Sequence, residues 1–398
     1  MKIVYLSIAL FLIALVSKAE YSAVTFYVVA HQDDWQLFMG SSAYYDMLNK
    51  DAKTVFIYTT SGCGGYIGDQ GNGEGYGGCT TCTMAYFKAR EMGAISSVQL
   101  VNPPSKVSSW CNCWPYPEMT EVKFLANGKY FYVKKYEYCN TVSYFLRIVD
   151  ASLLGLKNGT GTITSIENVK DHQNTYRNWS DLTGVLNQII VYEKGDFAAC
   201  WLNTHETDVK INPNDHDDHI YTGLAIQDAV KGLHVNFNYF VGYYSSNLGP
   251  NLSPDAAVME AGLFAAYDKA IIDAGWWDDW ETRKGLCASS YNRMFYDTTK
   301  TSIRMGDLDK NQYSISCSPN PNINNKLLIK YYLPENKIIK IELINSAGFV
   351  QALMENESIR TKGLHENEFD ISRYPCGLYF VRLISGGVII TTGKFIKR

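Results

Sequence analysis

Phe26 to Gly40, FYVVAHQDDWQLFMG, decides the fold: an apolar run stops abruptly at His31, Asp33 and Asp34. The run from Phe26 to Ala30 suits a buried strand of a parallel sheet. The polar cluster then falls beyond the strand's carboxyl end, where open α/β sheets place ligands. A turn of this kind brings an imidazole and carboxylates together, as a metal site requires. The bland alternative is a helix start in which Asp33 and Asp34 merely favour the positive end of the macrodipole.

Outward from that stretch, the chain from Tyr21 alternates strand-like and helix-like segments, which predicts an α/β sandwich. Helices are expected over Gln36 to Asn49 and Met84 to Gly93, with strands over Thr54 to Thr60 and Val98 to Val101. Between them, Ser61 to Gly78 is a glycine-rich loop. It is followed by no Gly-Lys-Ser/Thr and carries no dinucleotide fingerprint, so it reads as a rim or lid rather than a phosphate cradle. Trp110 to Asn140, rich in aromatics and cysteine, reads as an insertion whose hairpin turns near Asn127-Gly128. Asn140 to Leu154 resembles a helix, Gln188 to Tyr192 a buried strand, and Pro254 to Gly275 a helix ahead of the aromatic cluster WWDDWETRKG.

The second informative stretch is Asn212 to Gly223, NPNDHDDHIYTG. Asp215 is a reasonable N-cap for a helix running to about Lys231, with Gly232 as its stop. His216 and His219 then share one helical face. Alone, that pair reads as two solvated histidines. Combined with the strand-end cluster it supplies three zinc ligands with residues left over, and catalytic zinc sites use three protein ligands plus a water. One aspartate of Asp33-Asp34 then binds while the other takes a proton.

Composition limits what this site serves. The chain has 398 residues, 46% of them hydrophobic, enough for one large domain and a smaller one. Its net charge of −4 falls to −6 once Lys2 and Lys18 leave with an N-terminal segment, which gives no electrostatic reason to expect nucleic acid. That segment, residues 1–19, places Lys2 before an apolar run and ends in small residues, as a secretory signal peptide does. The apolar run is short for a spanning helix, and no membrane span is expected after its removal. Export favours disulfides for the ten cysteines, with pairing within the neighbourhoods Cys63/Cys79/Cys82 and Cys111/Cys113/Cys139. A zinc knot of Cys79, Cys82, Cys111 and Cys113 is the alternative, against which the CxC half departs from the usual spacing.

AHQDD, followed roughly 185 residues later by HDDH, resembles the AHPDD and HPDH motifs of the LmbE-like (PIG-L) family of zinc-dependent de-N-acetylases. The resemblance spans Ala23 to Arg293 and implies a Rossmann-like parallel sheet sandwiched by helices. It implies one Zn2+ per chain on His31, Asp34 and His219, with Asp33 as general base. It further implies that His216 stabilises the tetrahedral intermediate and that Arg90 meets substrate, a surface ion pair being the other reading of Arg90. The reaction implied is hydrolysis of an acetamido group by zinc-activated water. Gln32 replaces the family's proline, Trp35 a common glutamate and Asp217 a second proline. Asn214 stands where some relatives carry a catalytic tyrosine.

From Ser316 the character changes to short alternating strands, KLLIKYYLP, KIIKIELINSAG, FDISRYPCGLYFVRL and VIITTGKFIKR, which predict a small antiparallel β-sandwich. This segment resembles the C-terminal sorting domain of the type IX secretion pathway. The resemblance implies a Gram-negative host, the type IX secretion machinery as partner, and passage through the periplasm to the cell surface or medium. The expected organisation is a signal peptide at 1–19, a deacetylase domain at 20–302, a linker at 303–316 and a sorting domain at 317–398. N-acetylated sugars or glycoconjugates of the N-acetylglucosamine type are the implied substrates. A noncatalytic glycan-binding surface protein and a zinc amidase or esterase acting on other substrates are the alternatives.

Overall fold

The computed structural model describes residues 21, 23–64, 82–102, 118–166, 173–195, 197, 199–233, 235–276, 293–297, 313–320, 322–345, 350–386 and 388–398. The expected signal peptide, most of the glycine-rich loop, Cys79, Cys111, Cys113, the aromatic cluster beyond Trp276 and most of the expected linker lie outside the described residues.

Ten strands belong to the N-terminal part: β1 (Ala23–Val29), β2 (Ala52–Thr60), β3 (Thr120–Ala126), β4 (Lys129–Tyr138), β5 (Thr141–Ile148), β6 (Ile163–Thr164), β7 (Thr175–Tyr176), β8 (Ala199–His205), β9 (Asn236–Phe240) and β10 (Tyr296–Asp297). All but the short β6–β7 ribbon form one sheet in the order β10-β9-β8-β1-β2-β5-β4-β3. Strands β9, β8, β1, β2 and β5 are parallel, whereas β10 and the β3–β4 hairpin pair antiparallel at the two edges. Every residue of β1 is buried, as its unbroken apolar run requires when both faces are covered. Val24, Phe26 and Val28 enter one core while Tyr27 and Val29 enter the other. Helices α1 (Asp34–Phe38), α2 (Gly40–Leu48) and α3 (Tyr86–Val101) cover the second face. On the first face lie α4 (Leu153–Asn158), α5 (Trp179–Lys194) and α6 (Asp217–Ala229), and α7 (Pro254–Asp273) completes the second. The fold is the expected helix-flanked α/β sheet, with the hairpin added to its edge. No helix among the described residues is long and apolar enough to cross a membrane.

Several local expectations are corrected. The segment expected as a helix from Asn140 is β5, with all eight residues buried between β2 and β4. A short apolar run carries no decisive period, and its place inside the sheet chose the strand. Gln188 to Tyr192, expected as a strand, lies in α5: Ile189 and Ile190 are buried while Val191 and Tyr192 face solvent, and Asn178 caps the helix by accepting from Asp181 N–H. Val98 to Val101 continues α3 rather than forming a strand. The helix expected over Gln36 to Asn49 breaks at Met39 into α1 and α2. The break seats Gly40 against α7, where an added Cβ would lie 2.7 Å from Glu260 Cγ. The hairpin turn falls where expected, with Asn127 and Gly128 both at positive φ. Among the described cysteines the disulfide expectation holds for Cys82, which is disulfide-bonded, and fails for Cys63, Cys139, Cys200, Cys317 and Cys376, which are free.

Glu260 is fully buried and accepts from Ser41 N–H at 3.0 Å. Burial raises its pKa well above the ordinary glutamate value, outweighing the Ser41 N–H and the Arg398 charge, which both favour the carboxylate. The folded state therefore prefers the neutral acid, so the stability from this group is complete below the unfolded glutamate pKa and is lost as pH rises toward the folded one. Glu260→Gln is expected to remove a downward slope of up to about 1.4 kcal/mol per pH unit above roughly pH 4.5. Urea unfolding over a pH series checks this, and a slope that the substitution leaves intact would contradict it.

The C-terminal part contains β11 (Ser314–Ser318), β12 (Lys326–Leu333), β13 (Lys337–Asn345), β14 (Val350–Arg360), β15 (Gly363–Asp370), β16 (Gly377–Ser385) and β17 (Val388–Lys397). Two antiparallel sheets, β11-β12-β15 and β14-β13-β16-β17, enclose a core that includes Ile329, Tyr331, Ile341, Leu343, Val381 and Phe395. Strand β17 meets the α/β part: Lys394 Nζ lies 2.8 and 3.1 Å from the two carboxylate oxygens of Asp46 on α2. Beside it, Arg398 donates to Ser41 Oγ at 2.8 Å.

Candidate metal centre and active site

Strand order places the site. From β1 the chain moves one way to β2 and β5, then returns to add β8 and β9 on the other side of β1. The switch between β1 and β8 opens the crevice in which sheets of this type bind ligands. Into it project His31 after β1, His205 at the end of β8, Asp150 after β5, and His216 and His219 at the start of α6.

His31, Asp34 and His219 converge. His31 Nδ1 lies 3.2 Å from His219 Nε2, His219 Nε2 lies 3.1 Å from Asp34 Oδ1, and Asp34 Oδ1 lies 3.4 Å from His31 Nδ1. Three ligands at zinc bond lengths of about 2.0–2.1 Å in a tetrahedron stand roughly 3.3 Å apart, so the triangle has the size of a zinc face and the donor set its chemistry. All three residues are buried. Burial alone would lower the pKa of both imidazoles, but Asp34 and further carboxylates around each overcome it: His31 is raised well above its usual value and His219 is pushed up to about 10. Asp34 itself would be raised by burial, yet His219, His31 and His205 hold it well below the usual carboxylate range. The pocket thus favours positive charge at the triangle.

Each triangle member also has a partner behind it. His31 Nε2 lies 2.9 Å from Asp150 Oδ1, and His219 Nδ1 lies 2.9 Å from Asp215 Oδ1. Asp34 Oδ2 accepts from His31 N–H at 2.7 Å and faces His205 Nε2 at 3.1 Å. Carboxylates behind metal-ligating imidazoles fix the tautomer and ring orientation. Asp150 is itself held by Gly64 N–H at 3.1 Å, and the neighbouring His31 keeps it ionised despite burial. Asp215 is not the N-cap expected of it. That position belongs to His216, whose side chain accepts from Asp218 N–H at 3.1 Å, and Asp215 instead turns back to His219.

Asp33 is buried and paired with Arg90. Arg90 is no surface residue: its Nε donates to Tyr267 OH at 2.7 Å and its NH1 to Gly62 O at 2.7 Å. Gly62 has φ +57°, and any Cβ there would strike the Arg90 guanidinium and Gln32 Oε1, so glycine is required at this close approach. His216 sits at the mouth, its side chain 34% exposed and its ring edge-on to His31 with centroids 4.9 Å apart. Burial and the nearby histidines lower its pKa, which keeps it neutral at neutral pH. Because Nδ1 accepts from the Asp218 N–H, the proton of the neutral ring resides on Nε2.

Sequence reasoning named His31, Asp33, Asp34, Arg90, His216 and His219, and all six lie in this crevice. It missed Asp150, His205 and the role of Asp215. The signal for Asp150 was its place at a strand end, hidden while β5 was read as a helix. His205 likewise closes the run ACWLNTH, a strand beside β1. Trp35 and Gln32, where the chain departs from the resembled motif, are both buried, and they donate to Tyr58 OH and Thr60 O respectively.

Residues 316–398 match the family described as the secretion system C-terminal sorting domain. The chain therefore ends in a type IX sorting domain, which directs export to the cell surface or extracellular space. No curated protein matches the chain. Among solved structures it is similar to the A40926 pseudoaglycone deacetylase Dbv21, at 12% identity and TM-score 0.34, over 70% of this chain and 95% of that one. It is also similar to the zinc-inhibited form of the teicoplanin deacetylase Orf2, at 12% identity and TM-score 0.32, over 63% and 85%. The alkylpurine DNA glycosylase AlkC of Pseudomonas fluorescens aligns at 11% identity and TM-score 0.18, over 44% and 52%.

Proposed function

We propose that this exported protein is a zinc-dependent amide hydrolase that removes acetyl groups from N-acetylated sugars or glycoconjugates. The observation that carries the reading is the triangle of His31 Nδ1, Asp34 Oδ1 and His219 Nε2, sized for a metal and backed at every corner. The substrate class comes from the likeness of AHQDD and HDDH to de-N-acetylase motifs. In this reading His31, Asp34 and His219 hold the ion. When bound, zinc polarises a carbonyl oxygen and makes water a better nucleophile at neutral pH.

The protein's own groups do the rest. Asp33, the carboxylate of the turn outside the triangle, accepts the proton of the attacking water and returns it to the departing amine nitrogen. Arg90 pairs with Asp33 and is held by Tyr267 and Gly62, so we assign it to positioning the base rather than to direct substrate contact. His216 offers its Nε2–H to the oxygen that gains charge as the carbonyl becomes tetrahedral, a contribution typical of preorganised donors in buried sites.

An acetate-release screen over N-acetylglucosamine conjugates, run with metal analysis of the purified chain, tests the reading. One zinc per chain and acetate release that a chelator abolishes and Zn2+ restores are expected. Bound zinc without hydrolysis of any acetamido conjugate would refute the proposed activity. Exchanging either backing carboxylate, Asp150→Asn or Asp215→Asn, is expected to weaken zinc binding about 10- to 100-fold. Chelator competition measures that loss.

A further inference from the structure

His205 closes β8 with its ring completely buried, and it has no part in the reaction above. Two contacts define it. Its Nε2 lies 3.1 Å from Asp34 Oδ2, and its ring stacks face to face on His219, with centroids 4.1 Å apart and planes within 2°. Both contacts are to members of the donor triangle, one to a carboxylate and one to an imidazole.

We propose that His205 is a positioning residue for the metal ligands: it donates Nε2–H to Asp34 Oδ2 and backs the His219 ring, so that Asp34 turns only Oδ1 toward the metal. The inference rests on the metal-site reading above. Its tautomer follows from the surroundings. Nε2 faces the Asp34 carboxylate at 3.1 Å and the Ala30 N–H at 3.4 Å, while Nδ1 is buried with no hydrogen-bond partner. With the proton on Nδ1, a buried N–H would go unanswered and the Nε2 lone pair would oppose a carboxylate oxygen. With the proton on Nε2, a charge-assisted bond to Asp34 forms at 3.1 Å, at the cost of the longer 3.4 Å contact in which the Ala30 N–H would donate to Nε2 and of an unsatisfied Nδ1 acceptor; the shorter bond to the carboxylate outweighs both. Asp34 Oδ2 then receives two donors, His31 N–H and His205 Nε2–H, which leaves Oδ1 as the oxygen presented to His31 Nδ1 and His219 Nε2.

A second metal site built on His205, Asp215 and His219 is the competing reading of the same atoms. The stacked rings argue against it. Ring lone pairs lie in the ring plane, and two parallel rings direct them side by side rather than toward a common point. His219 Nδ1 is in any case engaged by Asp215.

The test uses the full mature chain and Zn2+ itself. His205→Phe keeps a ring against His219 but removes the donor, whereas His205→Gln keeps an N–H donor and removes the ring. Zn2+ affinity is measured by chelator competition, and the Co2+-substituted protein supplies a visible spectrum that reports ligand geometry without reference to turnover. His205→Phe is expected to lose about 10- to 100-fold in Zn2+ affinity and to change the Co2+ spectrum. His205→Gln is expected to keep the wild-type spectrum and affinity within a few-fold. A His205→Phe affinity equal to wild type overturns the inference, as does a stoichiometry of two zinc ions lost together on this substitution. If His205→Phe does not fold, the His205→Gln spectrum decides, and a spectrum unlike wild type overturns the inference. Wild type that binds no Zn2+ removes the metal-site reading, and this one with it, whereas wild-type binding with an indifferent His205→Phe removes this one alone.

Discussion

Under the proposed function, Asp33→Asn is expected to lower acetate release by about 10²- to 10⁴-fold while the protein still binds one zinc, the loss typical of a missing general base. The argument is geometric. Asp33 and Asp34 are adjacent, yet Asp34 is committed to the triangle with His31 and His219, and Asp33 turns away from it to pair with Arg90. Asparagine matches the shape of the side chain and still accepts from Arg90 through its carbonyl, but it cannot carry a proton between water and amine. The loss therefore falls on kcat, with KM nearly unchanged. Steady-state kinetics, zinc content and near-ultraviolet circular dichroism on the same preparation separate this outcome from misfolding. A folded, zinc-loaded Asp33→Asn protein of wild-type turnover rules out the base.

The second large effect concerns the junction with the sorting domain. Lys394 and Asp46 are both nearly fully buried, and Lys394 also lies over the Trp201 ring. Removing one member of a buried pair strands the other charge, at a cost of about 3–5 kcal/mol. Asp46→Ala strands Lys394 in this way. Lys394→Met costs less, because Asp46 keeps the Tyr27 hydroxyl at 2.6 Å and the methionine stem refills the space. The double variant recovers much of the Asp46→Ala loss, since no charge is then left unpaired. Urea unfolding of the four proteins as a double-mutant cycle reads the coupling. An Asp46→Ala cost below about 1 kcal/mol, the range of exposed ion pairs, would show that the pair is solvated in solution.

How much of this was legible beforehand depends on the range of the signal. The hairpin turn at Asn127-Gly128 was readable because positive φ at both positions selects those residue types locally. The α/β class was readable from β1, since an apolar run that ends in polar residues needs cover on both faces. TVSYFLRI and QIIVY were not readable, because runs this short fit a strand and a buried helix face equally well. Their neighbours decided: β2 and β4 on either side of β5, and the sheet surface beneath α5.

The site divides along the same line. By itself the sequence determined the residue types of the candidate metal site, their grouping at a strand end and a helix start, and the sorting domain at the C-terminus. Those features are carried by residues adjacent along the chain, where a turn or a helix start fixes geometry within a few positions. Only the tertiary structure decided that Asp215 and Asp150 stand behind His219 and His31, that Arg90 is buried against Asp33, and that His205 backs the triangle. These contacts join residues remote in sequence, and they exist because β8 returns to lie beside β1. Sheet order is settled by packing of the whole domain, which no local spacing encodes.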